Sequence, residues 1–157
     1  MADNTIRYTH ADLVKLAKRW LATSWRNAST QGHGACPVIM AETVTLLESG
    51  EIPDAIGWHC GYSILIECKT SRADFRADRK KLFRRHAYLG LGSQRYFLAP
   101  AGLISAAELP AQWGLLEVNA RGKVEVTRAS EYFGERNMRG EVTMLLSCIR
   151  RMKREKA

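Results

Sequence analysis

Between Gly50 and Lys69 the chain reads G-E-I-P-D-A-I-G-W-H-C-G-Y-S-I-L-I-E-C-K. Three charged residues in this stretch, Asp54, Glu67 and Lys69, are of the types that metal-dependent phosphodiester hydrolysis needs. Glu67 and Lys69 interrupt an apolar run, where unpaired charges are costly unless they find a counter-charge or a metal. On a strand, residues two apart emerge on one face, so Glu67 and Lys69 point together while Ile64, Ile66 and Cys68 point the other way. A hairpin would bring Asp54, on the preceding strand, beside Glu67. Two carboxylates that close repel, and each then tends to hold a proton unless a cation separates them. Mg2+ or Mn2+ suits such oxygen ligands, with the backbone carbonyl of Cys68 as a further one. A bound cation would lower the pKa of a water and stabilise charge at phosphorus. Lys69 would orient or deprotonate that water and neutralise phosphate charge. The competing reading of the same residues is an ion pair at a strand end.

The segment that follows, T-S-R-A-D-F-R-A-D-R-K-K, predicts a helix from Ser71 to about Ala87. Arg72, Arg76, Lys80 and Arg84 recur every fourth residue and would form one basic stripe able to hold backbone phosphates. Lys80 is the strongest single candidate for a phosphate contact. A solvated helix face is the alternative. Phe75, Leu82 and His86 would face inward, with Asp74 and Asp78 capping the helix or pairing with Arg72 or Arg79.

The elements that must hold these groups can be read from periodicity. A first helix runs from Thr9 to about Arg26, with Leu13, Leu16, Trp20 and Leu21 on its inner side. A polar loop spans Asn27 to Ala35. Strands follow at Pro37–Thr45, Ile52–Trp58 and Ser63–Lys69, the last two joined by a turn at His59–Tyr62. After the basic helix come strands at Gln94–Ala99, Gly114–Val118 and Lys123–Arg128, with a short helical turn at Ala106–Leu109. A C-terminal helix covers Gly140 to about Arg154, with Val142, Leu145, Leu146 and Ile149 toward the core and a basic end. A helix between two strands implies a crossover and a parallel or mixed sheet.

The chain has 157 residues, 46% of them hydrophobic, which is enough for one domain with its own core and too little for two. The net charge is +8. Residues 69–85 carry eight Lys/Arg against two Asp, and residues 150–157 carry five against one Glu, so these two segments hold +10 and the remainder −2. Such concentrated basicity favours an anionic partner, with nucleic acid ahead of an anionic membrane surface. The N-terminus lacks the apolar core of a signal peptide, and the chain has no membrane-spanning apolar run; a soluble, cytoplasmic protein is expected. Four cysteines occur without a C-x-x-C pair. His33-x-x-Cys36 with His59-Cys60 makes a weak zinc pattern, and Cys68 and Cys148 read as small core residues. Trp20, Trp25, Trp58 and Trp113 could stack on bases, though core packing is the plainer reading.

The pattern P-D-x12-E-C-K resembles that of the PD-(D/E)xK nuclease superfamily, and the order helix, hairpin, strand, helix is similar to its core. The stretch E-C-K-T-S-R-A-D-F-R-A-D-R-K-K, the later R-Y-F-L-A-P, E-L-P and W-G-L-L-E-V more specifically resemble small bacterial and phage proteins related to the MmcB-type DNA repair nucleases. The similarity covers roughly Pro37 to Val118. It implies a restriction-endonuclease-like α/β core with a central mixed β-sheet flanked by helices. It also implies a Mg2+- or Mn2+-dependent deoxyribonuclease in bacterial or phage-infected cells, with Asp54 and Glu67 as metal ligands and Lys69 as catalytic lysine. A fourth acidic residue is expected, for which Glu42 fits better than Asp12; His10 reads as a capping or surface residue, and Gln94 and Arg95 as residues near the site. Members of such families sometimes form homodimers, but no residue marks a dimer face. The alternatives are a DNA- or protein-binding module that does not cut and, more weakly, a membrane-surface protein using its basic terminal helix.

Overall fold

A computed structural model describes residues 7–23, 35–42, 45 and 47–156. Helix α1, His10–Thr23, is followed by strands β1, Val38–Ala41, β2, Ala55–His59, and β3, Tyr62–Cys68. Helices α2, Arg72–Asp78, and α3, Leu82–Arg85, lead through a 3-10 turn at Ala87–Leu89 to β4, Gln94–Pro100. Then come a 3-10 turn at Ala106–Glu108, β5, Gly114–Val118, β6, Val124–Arg128, and helix α4, Met138–Glu155. The six strands form one mixed sheet in sequence order. β1–β2, β2–β3 and β5–β6 are antiparallel, whereas β3–β4 and β4–β5 are parallel. The fold is therefore α/β with helices flanking a mixed sheet, as the alternation of elements predicts.

Strand parity divides the core in two. Ala55, Ile64, Ile66, Cys68, Tyr96 and Leu98 turn to the face covered by α1, where Leu13, Ala17, Trp20 and Leu21 are buried. Ile56, Trp58, Leu65, Phe97 and Leu115 turn to the other face, against Phe75 of α2, Trp113, Phe133 and Met144 of α4. Trp20, Trp58 and Trp113 are thus core residues; Trp25 lies outside the described residues. The hairpin between β2 and β3 turns on Cys60 and Gly61 at φ 46° and 82°. Positive φ at both central residues is the primed turn that matches strand twist, and Gly61 adopts it without a Cβ penalty.

Several expectations are corrected. The strand expected over Pro37–Thr45 ends at Ala41, with Thr43 and Val44 outside the described residues. The expected helix from Ser71 to Ala87 is two helices. Ser71 does cap the first, its hydroxyl accepting the Asp74 N–H at 3.1 Å. Lys81 then adopts an extended backbone, φ −65° and ψ 138°, which resets the helical phase. As a result Phe83 and Arg84 turn inward, while Leu82 and His86, expected inside, are exposed. The basic stripe is broken by the same step. α4 also differs: its contact with the body runs through Gly140, Glu141 and Met144, leaving Val142, Leu146 and Ile149 exposed rather than core-facing.

Candidate active site

The β2–β3 register pairs Ala55 with Ile66, so Asp54 stands one step further, opposite Glu67. Asp54 Oδ2 accepts the Cys68 N–H at 2.7 Å, which fixes the carboxylate across the end of β3. Its Oδ1 lies 3.3 Å from His10 Nε2 at the start of α1, and the same ring nitrogen is 3.4 Å from Glu42 Oε1. The Glu42 N–H donates to the Asp54 carbonyl at 3.1 Å. Lys69, just past β3, is held to β4 by its N–H, which donates to the Leu98 carbonyl at 2.9 Å. The structure thus assembles Asp54, Glu67, Lys69 and Glu42 at one end of the hairpin. Glu42 sits beyond β1 with φ 47° and an exposed side chain, at the margin of the group.

Glu67 and Lys69 are each only 3% exposed. Their partners come from a buried ionic lattice centred on Arg84. Its guanidinium reaches Glu51 Oε1 at 2.6 Å, Asp78 Oδ2 at 2.6 Å and Glu67 Oε1 at 3.1 Å. Asp78 Oδ1 also takes Lys69 Nζ at 3.2 Å and Lys81 Nζ at 2.8 Å. Glu51 is held further by the Leu91 N–H at 2.9 Å. Arg84 stacks against the rings of Phe83 and Trp113, both 4.8 Å away.

Burial pushes the Glu67 carboxyl up to about 8, against the pull of Arg84 and with added repulsion from Asp54, Asp78 and Glu51. Burial also raises Asp54, opposed by the Cys68 N–H, His10 and Lys69. Asp78 goes the other way: burial would raise it, but Arg84 and Lys69 together hold it at about 2. Burial pushes the carboxyls of Glu51, Asp54 and Glu67 up, and of the four only Asp78 is pulled down, by Arg84 and Lys69.

The stripe residues therefore separate. Arg76 and Lys80 are exposed. Arg72 is tied to Glu108 through both nitrogens, at 2.6 and 3.2 Å. Arg84 is a buried structural cation, not a surface phosphate contact. Asp78 is its partner rather than a helix cap, and Asp12 is used by the Thr9 N–H and hydroxyl at 2.9 and 2.7 Å in capping α1. Arg95 is buried on Phe133, 3.9 Å from the ring centroid, and donates to the carbonyls of Gly92, Ala87 and Gly90. Sequence reasoning missed Glu51 and the placement of His10; Glu51 reads as a turn residue, and only the Gly50-Glu51-Ile52-Pro53 context hints that it leaves the surface.

The donor set is suited to a hard cation. Asp54 and Glu67 offer carboxylate oxygens and Cys68 a carbonyl, and Mg2+ commonly takes only one or two carboxylates plus water and phosphate. Glu67 Oε1 has no hydrogen-bond partner despite its burial, its contact with Arg84 being ionic only. Among the described residues no three His, Cys, Asp or Glu side chains cluster closely enough to hold a metal by themselves. Cys60 Sγ lies 3.9 Å from His59 Nε2, Cys36 is buried elsewhere, and His33 lies outside the described residues, so the zinc pattern gains nothing. Among the described residues no helix is long and apolar enough to cross a membrane. Comparison with protein-family models, with curated proteins and with solved structures finds no match to this chain.

Proposed function

We propose that the chain is a metal-dependent nuclease that hydrolyses DNA phosphodiester bonds on a restriction-endonuclease-like core. The observation that carries this reading is the meeting of Asp54 with Glu67 and Lys69 at the end of the hairpin, beside the basic α2–α3 segment. Asp54, Glu67 and the Cys68 carbonyl would hold Mg2+ or Mn2+, which supplies charge stabilisation at phosphorus and a water of lowered pKa when bound. Asp54 Oδ2 is fixed by the Cys68 N–H, and its Oδ1 faces His10 Nε2 at 3.3 Å, a contact that a cation would replace. Glu67 would serve as a ligand in its ionised form. Lys69, positioned by Asp78, orients the attacking water and offsets charge on the phosphate. Arg76 and Lys80 contact neighbouring phosphates. A role in repair, recombination or DNA processing in a bacterial or phage-infected cell follows from the sequence resemblance alone.

A second reading is favoured by one observation: Arg84 already stands 3.1 Å from Glu67, with both side chains buried. There the arginine takes the cation's place, and the protein binds DNA without cutting it. Plasmid, single-stranded and branched DNA incubated with Mg2+ or Mn2+ separates the two. The nuclease reading requires cleavage that EDTA abolishes and that Lys69→Ala reduces by about 10²-fold or more. Cleavage unchanged in Lys69→Ala overturns the mechanism. Tight, salt-sensitive binding with no cleavage of any substrate assigns the binding module instead.

A further inference from the structure

Three cations engage Asp78, and only one of them reaches solvent. The Lys69 and Arg84 side chains are 4% and 2% exposed, whereas that of Lys81 is 46% exposed. Lys69 Nζ is enclosed between Asp78 Oδ1 at 3.2 Å and Asp74 Oδ1 at 3.8 Å. Lys81 Nζ meets the same Asp78 oxygen at 2.8 Å. One carboxylate oxygen thus holds the lysine past β3 and the lysine between α2 and α3 side by side. Lys81 is also anchored through its backbone, where its N–H donates to the Asp78 carbonyl at 3.1 Å. Its ammonium lies 5.7 Å from the Phe83 ring centroid.

Lys81 can leave Asp78, and the other two cannot. When its ammonium departs, Asp78 keeps Arg84 on Oδ2 at 2.6 Å and Lys69 on Oδ1, so no buried charge is orphaned. Departure of Lys69 or Arg84 would unpair charges where no water replaces the partner. The Lys81 ammonium also acts on both carboxyls assigned to the metal. Burial would lower its pKa, but the bond to Asp78 and the charges of Asp78 and Glu67 outweigh that and raise it. Burial raises Asp54, and Lys81 is among the cations that oppose this. His10, the other basic group beside Asp54, is shared with Glu42 at the start of α1. A phosphate that approaches Asp54 and Glu67 from solvent therefore meets Lys81 before it meets Lys69.

We propose that Lys81 is a catalytic residue, the cation that holds the scissile phosphate over Asp54 and Glu67. The inference rests on the nuclease reading and gives that site its substrate-facing charge. On substrate binding the ammonium exchanges Asp78 Oδ1 for a non-bridging phosphate oxygen, one charge-assisted hydrogen bond for another. No proton moves and no covalent bond changes in this exchange. Lys69 stays on Asp78 and acts on the water, while Lys81 offsets the charge that builds on the phosphate oxygens. Lys80, next to it in the chain, contacts a neighbouring phosphate and contributes affinity alone.

Two measurements test this, and only the first requires cleavage. In Mg2+ or Mn2+, Lys81→Gln, which keeps the stem of the side chain, should lower kcat by about 10²-fold. Lys80→Gln should act on KM instead. Lys81→Arg, which keeps the charge, should recover part of kcat, and all three variants should keep the wild-type urea midpoint. The second measurement replaces Mg2+ by Ca2+ to hold DNA uncut and moves one neutral methylphosphonate along a short oligonucleotide. At one position it should weaken wild-type binding by about tenfold and Lys81→Gln binding hardly at all, and that phosphate should be the one cleaved in Mg2+. An unchanged kcat in Lys81→Gln overturns the proposal and leaves the nuclease reading intact, as does coupling to a phosphate that is not the cleaved one. Absence of cleavage on every substrate overturns the nuclease reading and the catalytic role together. The scan then decides the contact alone: coupling at a single phosphate supports it, and no coupling at any position overturns it.

Discussion

Arg84 lies 3.1 Å from Glu67 with both side chains out of solvent, and the same guanidinium closes on Glu51 and Asp78 at 2.6 Å. A cation so placed cannot be removed without leaving three buried carboxyls facing one another. Loss of one partner from a buried ionic group costs about 3–5 kcal/mol. Arg84→Met should therefore lower stability by that order, read as a fall in the urea midpoint at constant slope. Arg84→Lys should restore only part of it, because one ammonium cannot reach three carboxyls as a planar fork does. A loss no larger than that of an exposed-site control, Arg85→Met, would contradict the lattice.

The raised carboxyl of Glu67 gives stability a direction with pH. Its carboxyl titrates near 4.5 in an unfolded chain and at about 8 here, raised mainly by burial. Between those values the folded protein keeps a proton that the unfolded chain has lost, so this group's contribution falls as pH rises, by at most about 1.4 kcal/mol per unit. Asp78, lowered from 3.8 to about 2 by Arg84 and Lys69, works on the acid side. Its contribution is present above 3.8 and is lost as pH falls through 2. Unfolding by urea at about pH 5, 6.5 and 8 should show declining stability in the wild type and a flatter profile in Glu67→Gln. Mg2+ should release protons from the wild type at near-neutral pH, measurable by calorimetry in buffers of different ionisation enthalpy.

The broken basic stripe makes a separate prediction about DNA. Lys80→Ala and Arg76→Ala should each weaken binding across all sequences and reduce the salt slope by about one unit. Arg72→Ala should do less, because Arg72 is engaged by Glu108. A loss of affinity for Arg84→Lys equal to that of Lys80→Ala, in protein still folded, would mean that Arg84 does reach the phosphates.

What could be read from the sequence was what depends on short-range period. Alternation across Ile64 to Lys69 places Glu67 and Lys69 on one face, and the structure keeps that parity. The hairpin likewise delivers Asp54 opposite Glu67. What could not be read depends on phase and on distant partners. A single extended residue, Lys81, turns Arg84 from the surface to the core, and no local propensity announces it. Glu51 is 33 residues from Arg84 and His10 is 44 from Asp54, so neither pairing leaves a trace in spacing. On α4 the apolar recurrence of Val142, Leu145, Leu146 and Ile149 predicts a helix with a core-facing side, but periodicity does not say which side meets the body. Glu141 decides that through hydrogen bonds to Trp58, Ser63 and Gly92.

Gly92 joins the sheet to α4, and its replacement should be costly for two separable reasons. At φ 88° an alanine there is strained by about 1–2 kcal/mol. Its Cβ would also stand 2.7 Å from Leu65 Cβ and 2.8 Å from the Gln94 carbonyl, groups that lie in adjacent strands and cannot withdraw independently. Overpacking of that kind adds about 1–3 kcal/mol. Gly122 provides the comparison, since its φ is 77° but a Cβ there meets nothing within 4 Å. Gly122→Ala should therefore show the strain alone, and the difference between the two variants should measure the clash. Because the Gly92 N–H donates to Glu141, Gly92→Ala should also speed amide hydrogen exchange in the first turns of α4, whereas Gly122→Ala leaves it unchanged. Equal stability losses with equal exchange would mean that Gly92 is a turn residue and no more.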